Sequence, residues 1–173
     1  GSWLIETGEL PRFSAKIRTN TWCYSLKGLH AQRCFSIEDS TGRPGVRADS
    51  QWFLFDRNAG KVCRIPDSQR VYLSDEPRQD LPAMERKIKV DGEGRQASPI
   101  QVSEQHLDTN RHVNNAQYVM FALDALAELG HPLDVHRIAV QYRTMAWLGN
   151  KIVPLVHVCE AGYTVELTNG EGT

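Results

Sequence analysis

Neither sign of charge prevails in this sequence: 21 Asp and Glu stand against 20 Lys and Arg, a formal net charge of -1. That near-balance excludes a strong overall attraction to nucleic acid or to an anionic membrane, and neither is expected as a partner. Long hydrophobic runs are also missing. None approaches the roughly 18 apolar residues of a membrane-spanning helix, so a helical membrane protein is not expected. Cysteine is sparse, and Cys23, Cys34, Cys63 and Cys159 lie far apart without paired spacing. Such cysteines read as reduced thiols in a cytoplasmic protein, not as a disulfide framework or a zinc site. The leading Gly1-Ser2 reads as a cloning remnant with no secretory signal behind it. What remains is ordinary globular composition, 40% hydrophobic and 24% charged over 173 residues, enough for one domain or two small ones.

Helix signals are absent from the first half, where the pattern from Ser14 to Ile65 is β. In "SAKIRTNTW", Ile17, Thr19 and Thr21 alternate with Lys16, Arg18 and Asn20, as on a half-buried strand. Three further strands are expected before Ile65, joined by turns at 39–42 and 56–60. Residues 66–99, with Pro66, Pro77, Pro82 and Pro99, read as an extended connection holding at most one short strand, "ERKIKV". A connection of that length argues for two units, 3–80 and 81–173.

The second unit holds one helix pattern, with Asn114 or Asn115 as N-cap and Gly130 and Pro132 as its stop. Tyr118, Ala122, Ala125 and Leu129 form a stripe, flanked by Val119, Leu123 and Leu126 and opposed by Gln117, Asp124 and Glu128. Strand-like segments follow at 134–144, 151–159 and 162–170. One mostly apolar helix followed by antiparallel strands predicts an α+β fold, a sheet wrapped around a central helix.

Ahead of that helix stands "LDTNRHVNNAQYV", residues 107–119, in which Asp108, Asn110, His112, Val113, Asn114, Asn115 and Tyr118 keep a fixed spacing. The run closely resembles the Asp-x-Asn-x-His-Val-Asn-Asn-x-x-Tyr motif of the acyl-acyl-carrier-protein thioesterase family. Weaker resemblance extends through "ELPRFSAKIRTNTW", "RCFSIEDSTGRP", "SQWFLFD" and "VQYRTMAWLGNKI". The resemblance implies two tandem hotdog units that hydrolyse fatty acyl thioesters and end fatty-acid synthesis. It implies acyl carrier protein as partner, no metal and no cofactor, and leaves room for a homodimer. Three departures stand out. A full pair of hotdog units needs two long helices and only one is visible, so the first unit is expected to be incomplete, without its helix. The stretch between Trp3 and Pro11 is several residues short. The family's carboxylate two residues after the Arg of "YR" is Met145, followed by Ala146.

The chemistry suits the place. A helix start offers unpaired N–H groups and positive dipole, each donor worth on the order of 3 kcal/mol to a developing oxyanion. By the resemblance and by side-chain capacity, Asp108, Asn110 and His112 are the catalytic candidates. His112 can orient water or donate to the carbonyl, Asn110 can do either with its amide, and Asp108 can hold the Asn or act as base. Asn114, Asn115 and Tyr118 are the substrate-binding candidates, although Asn114 and Asn115 could equally just cap the helix. His106, Asp108 and His112 make a poor metal triad, since strand spacing separates their faces. Asp124, roughly 14 Å along the helix at 1.5 Å per residue, is too far from its start to serve as the missing base. The apolar face of the first sheet, including "SQWFLF", is expected to hold the acyl tail. The alternatives are an acyl-thioester-binding protein that is weak or inactive for lack of a base at Met145, and an acyl-CoA thioesterase with the same site.

Overall fold

The computed structural model describes residues 1–56 and 58–170, and these form two compact units, one from the described residues of 1–86 with 135–141 and one from 87–134 with 142–170.

In the first unit, β1 (Ser2–Thr7), β2 (Arg18–Lys27), β3 (His30–Glu38), β4 (Pro44–Asp56) and β5 (Lys61–Cys63) join an antiparallel sheet. The β2–β3 hairpin turns on Gly28 and Leu29, and Gly28 takes the positive φ of 60° that a tight hairpin turn demands. The sheet's sixth strand comes from far along the chain: β8 (Arg137–Gln141) pairs antiparallel with β1, giving the order β2-β3-β4-β1-β8, with β5 on β4. This corrects the division at residue 80, because the segment after the helix closes the first unit's sheet and not the second's. Its alternation specified a strand but not which edge would pair with it. Among the described residues the first unit has no α-helix, only a 3-10 turn at Asp67–Tyr72.

Register divides this sheet into two faces. Trp22, Cys34, Asp49, Leu4 and Ala139 are successive cross-strand partners and share one face; Thr21, Phe35, Ala48, Ile5 and Ile138 share the other. On the second face Trp3 stacks on Phe35 at 4.8 Å and meets Trp52 edge-on at 5.6 Å. Ile17, Thr19 and Thr21, expected to be half-buried, are exposed instead. Ile17 precedes β2 and Thr19 and Thr21 lie in its first four residues, on an edge strand whose neighbours cover one side only.

The first face carries charge, and the chain itself covers it. Residues 73–85 cross the strands in sheet order. Ser74 N–H donates to Cys23 C=O, Trp22 donates to Pro77 C=O, and Gln79 reaches Cys34 and Phe35. Arg47 then holds Asp80 C=O, Ser2 donates to Met84 Sδ, and Gln141 donates to Glu85 C=O. Asp49, 1% exposed, lies beneath this strap. It accepts the Tyr24 hydroxyl at 3.0 Å and the Arg78 guanidinium at 2.7 Å, and Arg78 also donates to the carbonyls of Leu81 and Pro82. The stretch that reads as a free connection is therefore bound along much of its length. "ERKIKV" forms no strand.

In the second unit β9 (Lys151–Cys159) pairs with β10 (Gly162–Thr168) and with the two-residue strands β6 (Arg95–Gln96) and β7 (Ile100–Gln101). α1 (Asn115–Glu128) packs on this sheet. Ala125 and Leu126 meet Val156 and Ala97, while Phe121 meets Val102, Val113 and Ile152. The stripe read from sequence omitted Phe121, which is the helix's large buried aromatic. Asn114 caps the helix, and Gly130, at φ 78°, ends it in the left-handed conformation that favours glycine.

Candidate active site

The polar cluster is one tight turn fastened at both ends. Asp108 N–H donates to His112 C=O at 2.9 Å, Arg111 N–H to Asp108 C=O at 3.0 Å, and Asn110 N–H to Asp108 Oδ1 at 2.8 Å. Arg111 has φ 67°, unusual for a residue with a side chain, and its guanidinium pairs with both oxygens of Glu104. Short backbone bridges then clamp the turn's outgoing strand from two sides. Leu107 faces Val113 and Asn114 N–H donates to His106 C=O; Val113 N–H donates to Ala146 C=O, and His112 bridges Trp147. Val113, buried in the core between those clamps, fixes the depth of the turn.

His112 and Asp108 come together within this frame. Nδ1 of His112 lies 3.4 Å from Asp108 Oδ2, an ion-pair distance that is long for a hydrogen bond. The imidazole rests edge-on against Trp147 at 5.8 Å. Nε2 has no hydrogen-bond partner among the described residues. Asn110 is exposed on the same turn. His106 is turned elsewhere: its Nδ1 accepts from Ser103 N–H, and its ring meets Phe121. Among the described residues no group of three His, Cys, Asp or Glu is arranged to hold a metal ion, and no helix is long and apolar enough to cross a membrane.

The start of α1 adjoins the turn. Asn114 Oδ1 accepts Ala116 N–H at 2.9 Å, whereas Asn115 N–H has no partner among the described residues. Asn115 C=O accepts the Tyr142 hydroxyl at 2.9 Å. Tyr118 Oη accepts Ala146 N–H at 3.0 Å and so ties the helix to the stretch 145–147. Burial raises the pKa of both tyrosines, Tyr142 to about 12, with Tyr118 adding to the shift of Tyr142, so both stay neutral hydroxyls. Met145, in that stretch, is 50% exposed. Tyr142 and Trp147 escaped the sequence reading, since aromatics beyond a helix carry no spacing signal; the turn residues Gly149 and Asn150 were the only local hint. Asn114→Ala is expected to cost the second unit about 1 kcal/mol, the usual value of an N-cap, measured as a shift in its urea midpoint. An unshifted midpoint would mean that Asn114 does not cap in solution.

The first unit holds a separate apolar cleft of about 190 Å³ whose walls include Cys23, Leu26, Trp52, Phe53, Leu54 and Tyr72. Three of these come from the "SQWFLF" stretch.

Two family models match successive stretches of the chain. The acyl-ACP thioesterase N-terminal domain family matches residues 1–72, and the acyl-ACP thioesterase C-terminal domain family matches residues 91–170. Oleoyl-acyl carrier protein thioesterase 1, chloroplastic, from Arabidopsis thaliana is 27% identical over 147 residues, 79% of this chain and 40% of that protein. The chain thus spans about two fifths of the length of the curated relatives it matches. Among solved structures, an acyl-ACP thioesterase from Bacteroides thetaiotaomicron superposes with a TM-score of 0.78 at 20% identity, over 99% of this chain and 70% of that one. The 12:0-ACP thioesterase from Umbellularia californica gives 0.76 at 18%, over 96% and 68%. These likenesses establish the α+β hotdog fold.

Proposed function

Because the chain belongs to the acyl-ACP thioesterase family, we propose that it hydrolyses acyl thioesters of acyl carrier protein, with the turn 108–112 and the start of α1 as the reacting centre. The observation that carries this reading is the His112 ring, set with Nδ1 toward Asp108 and Nε2 unpartnered. A proton on Nδ1, facing the carboxylate, leaves the Nε2 lone pair to take a proton from water. The water oxygen bonds to the thioester carbon and the C–S bond breaks. The departing carrier thiolate then takes its proton from the imidazolium, leaving free fatty acid. Asn115 N–H and the Asn110 amide are the donors for the oxyanion, and Tyr118 positions the stretch 145–147 beside them.

Met145 supports a second reading, an acyl-thioester-binding protein with little turnover, since a thioether takes no proton from water. The test is release of free fatty acid from one acyl group carried on acyl carrier protein and on coenzyme A, by the wild type and by Met145→Glu. A working wild type is expected, made faster by the new carboxylate by up to on the order of a hundredfold. A silent wild type rescued by glutamate would replace this proposal with the binding-protein reading. Hydrolysis of the coenzyme A thioester alone would reassign the carrier.

A further inference from the structure

Residues 8–17, between β1 and β2, form an ordered loop whose apolar side chains point away from the unit. Its base is fixed. Gly8 N–H donates to Gly45 C=O at 2.9 Å, and Arg43 pairs with Glu9 at 2.8 Å. A Cβ on Gly45 would come within 2.7 Å of Glu9 C=O, so the close approach of loop to strand requires glycine there. The tip is closed by Ala15 N–H donating to Arg12 C=O at 3.0 Å, with Ser14 at φ 68°, a region costly for a residue with a side chain. This turn holds Phe13 in full exposure, 102%, with Leu10 and Ile17 also exposed. Arg12 and Lys16 are exposed on the same loop, and neither makes an ion pair among the described residues, while the loop's one carboxylate, Glu9, is occupied by Arg43.

A phenylalanine presented on a strained turn buries nothing within its own unit, so folding does not account for it. We infer that this loop is a docking surface for an acidic protein, the acyl carrier protein that bears the thioester; the inference rests on the function proposed above. The chain as a whole, at net charge -1, has no general attraction for anions, so the local pairing of free cations with an apolar ring is what selects the partner. A bilayer fits less well. Stable anchoring there takes two strong signals, whereas one ring and two cations suit a partner that must leave after every turnover.

The test uses the full chain as wild type, Phe13→Ser and the double variant Arg12→Glu/Lys16→Glu. Each is assayed on an oleoyl thioester of acyl carrier protein and on the same acyl group carried by N-acetylcysteamine, and its binding to fluorescently labelled carrier protein is measured by anisotropy. The double variant is expected to raise KM for the carrier-borne substrate at least about tenfold and to lose its salt dependence. Its kcat, and its rate on the small thioester, stay unchanged. Phe13→Ser should weaken carrier binding in the same selective way. Equal losses on both thioesters, or unaltered carrier binding in the double variant, would overturn the inference. So would wild-type binding to phosphatidylglycerol vesicles that Phe13→Ser abolishes while carrier kinetics stay the same. A wild type that binds the carrier through this loop yet hydrolyses neither thioester would sink the proposed function and leave the docking surface standing.

Discussion

His112→Ala is expected to lower turnover of an acyl-carrier-protein thioester by on the order of a hundredfold or more, with KM nearly unchanged. In the proposed reaction the ring acts where charge develops, at the carbonyl and the attacking water, so its removal should be felt in the transition state and scarcely in the bound ground state. Asn110→Ala should behave alike, since its exposed amide sits on the same turn. Val113 and the paired backbone bridges anchor that turn through the main chain and the core, so both variants should fold. Single-turnover measurements on folded protein separate the cases. Near-normal turnover in His112→Ala would remove the turn from the reaction. A rise in KM with turnover intact would make it a binding surface only.

The second large effect concerns stability. Arg78→Ala would leave the Asp49 carboxylate buried beneath the strap with Tyr24 as its remaining strong donor. Breaking one side of a buried pair costs about 3 to 5 kcal/mol, and here the carbonyls of Leu81 and Pro82 lose their donor as well. Tyr24→Phe removes one hydrogen bond and keeps the ion pair, so about 1 to 2 kcal/mol is expected. Tryptophan fluorescence during urea unfolding reports on this chiefly, because Trp3, Trp22 and Trp52 lie in the first unit and only Trp147 in the second. A loss below about 1 kcal/mol for Arg78→Ala would mean that the strap is not held by its charge. Burial first, and then the Asp49 carboxylate, raise the Tyr24 pKa well above the ordinary tyrosine value. The proton's contribution is therefore present in full below a pH of about 10 and is lost as pH rises toward the folded pKa.

Local physics made some of this chain legible from its residues alone. The cap at Asn114, the helix that follows and the stop at Gly130 depend on neighbours within a turn or two, and the structure places them where capping and periodicity require. The crowding of Asp108, Asn110 and His112 on one turn is equally local, since an Asx turn and an i,i+4 pair need no distant partner. The motif also named the family correctly, because a long run at fixed spacing is hard to reach by chance.

Distance along the chain made the rest illegible. Which edge β8 would join was decided by the register of Ser2–Thr7, a strand more than a hundred residues earlier that the sequence reading passed over. "ERKIKV" had the alternation of a strand and no ladder to complete, so it formed none. The proline-rich connection looked free because its partners, Trp22, Cys34 and Asp49, are brought to one face only by pairing three strands. Trp147 meets His112 for a related reason: a backbone bridge between two short stretches sets the ring contact, and neither stretch carries a periodic signal. Side-chain pattern is written along the chain and determined the helix, its cap and the polar turn 108–112; strand pairing is chosen among competing edges by total burial and hydrogen bonding, a comparison that only the folded molecule makes.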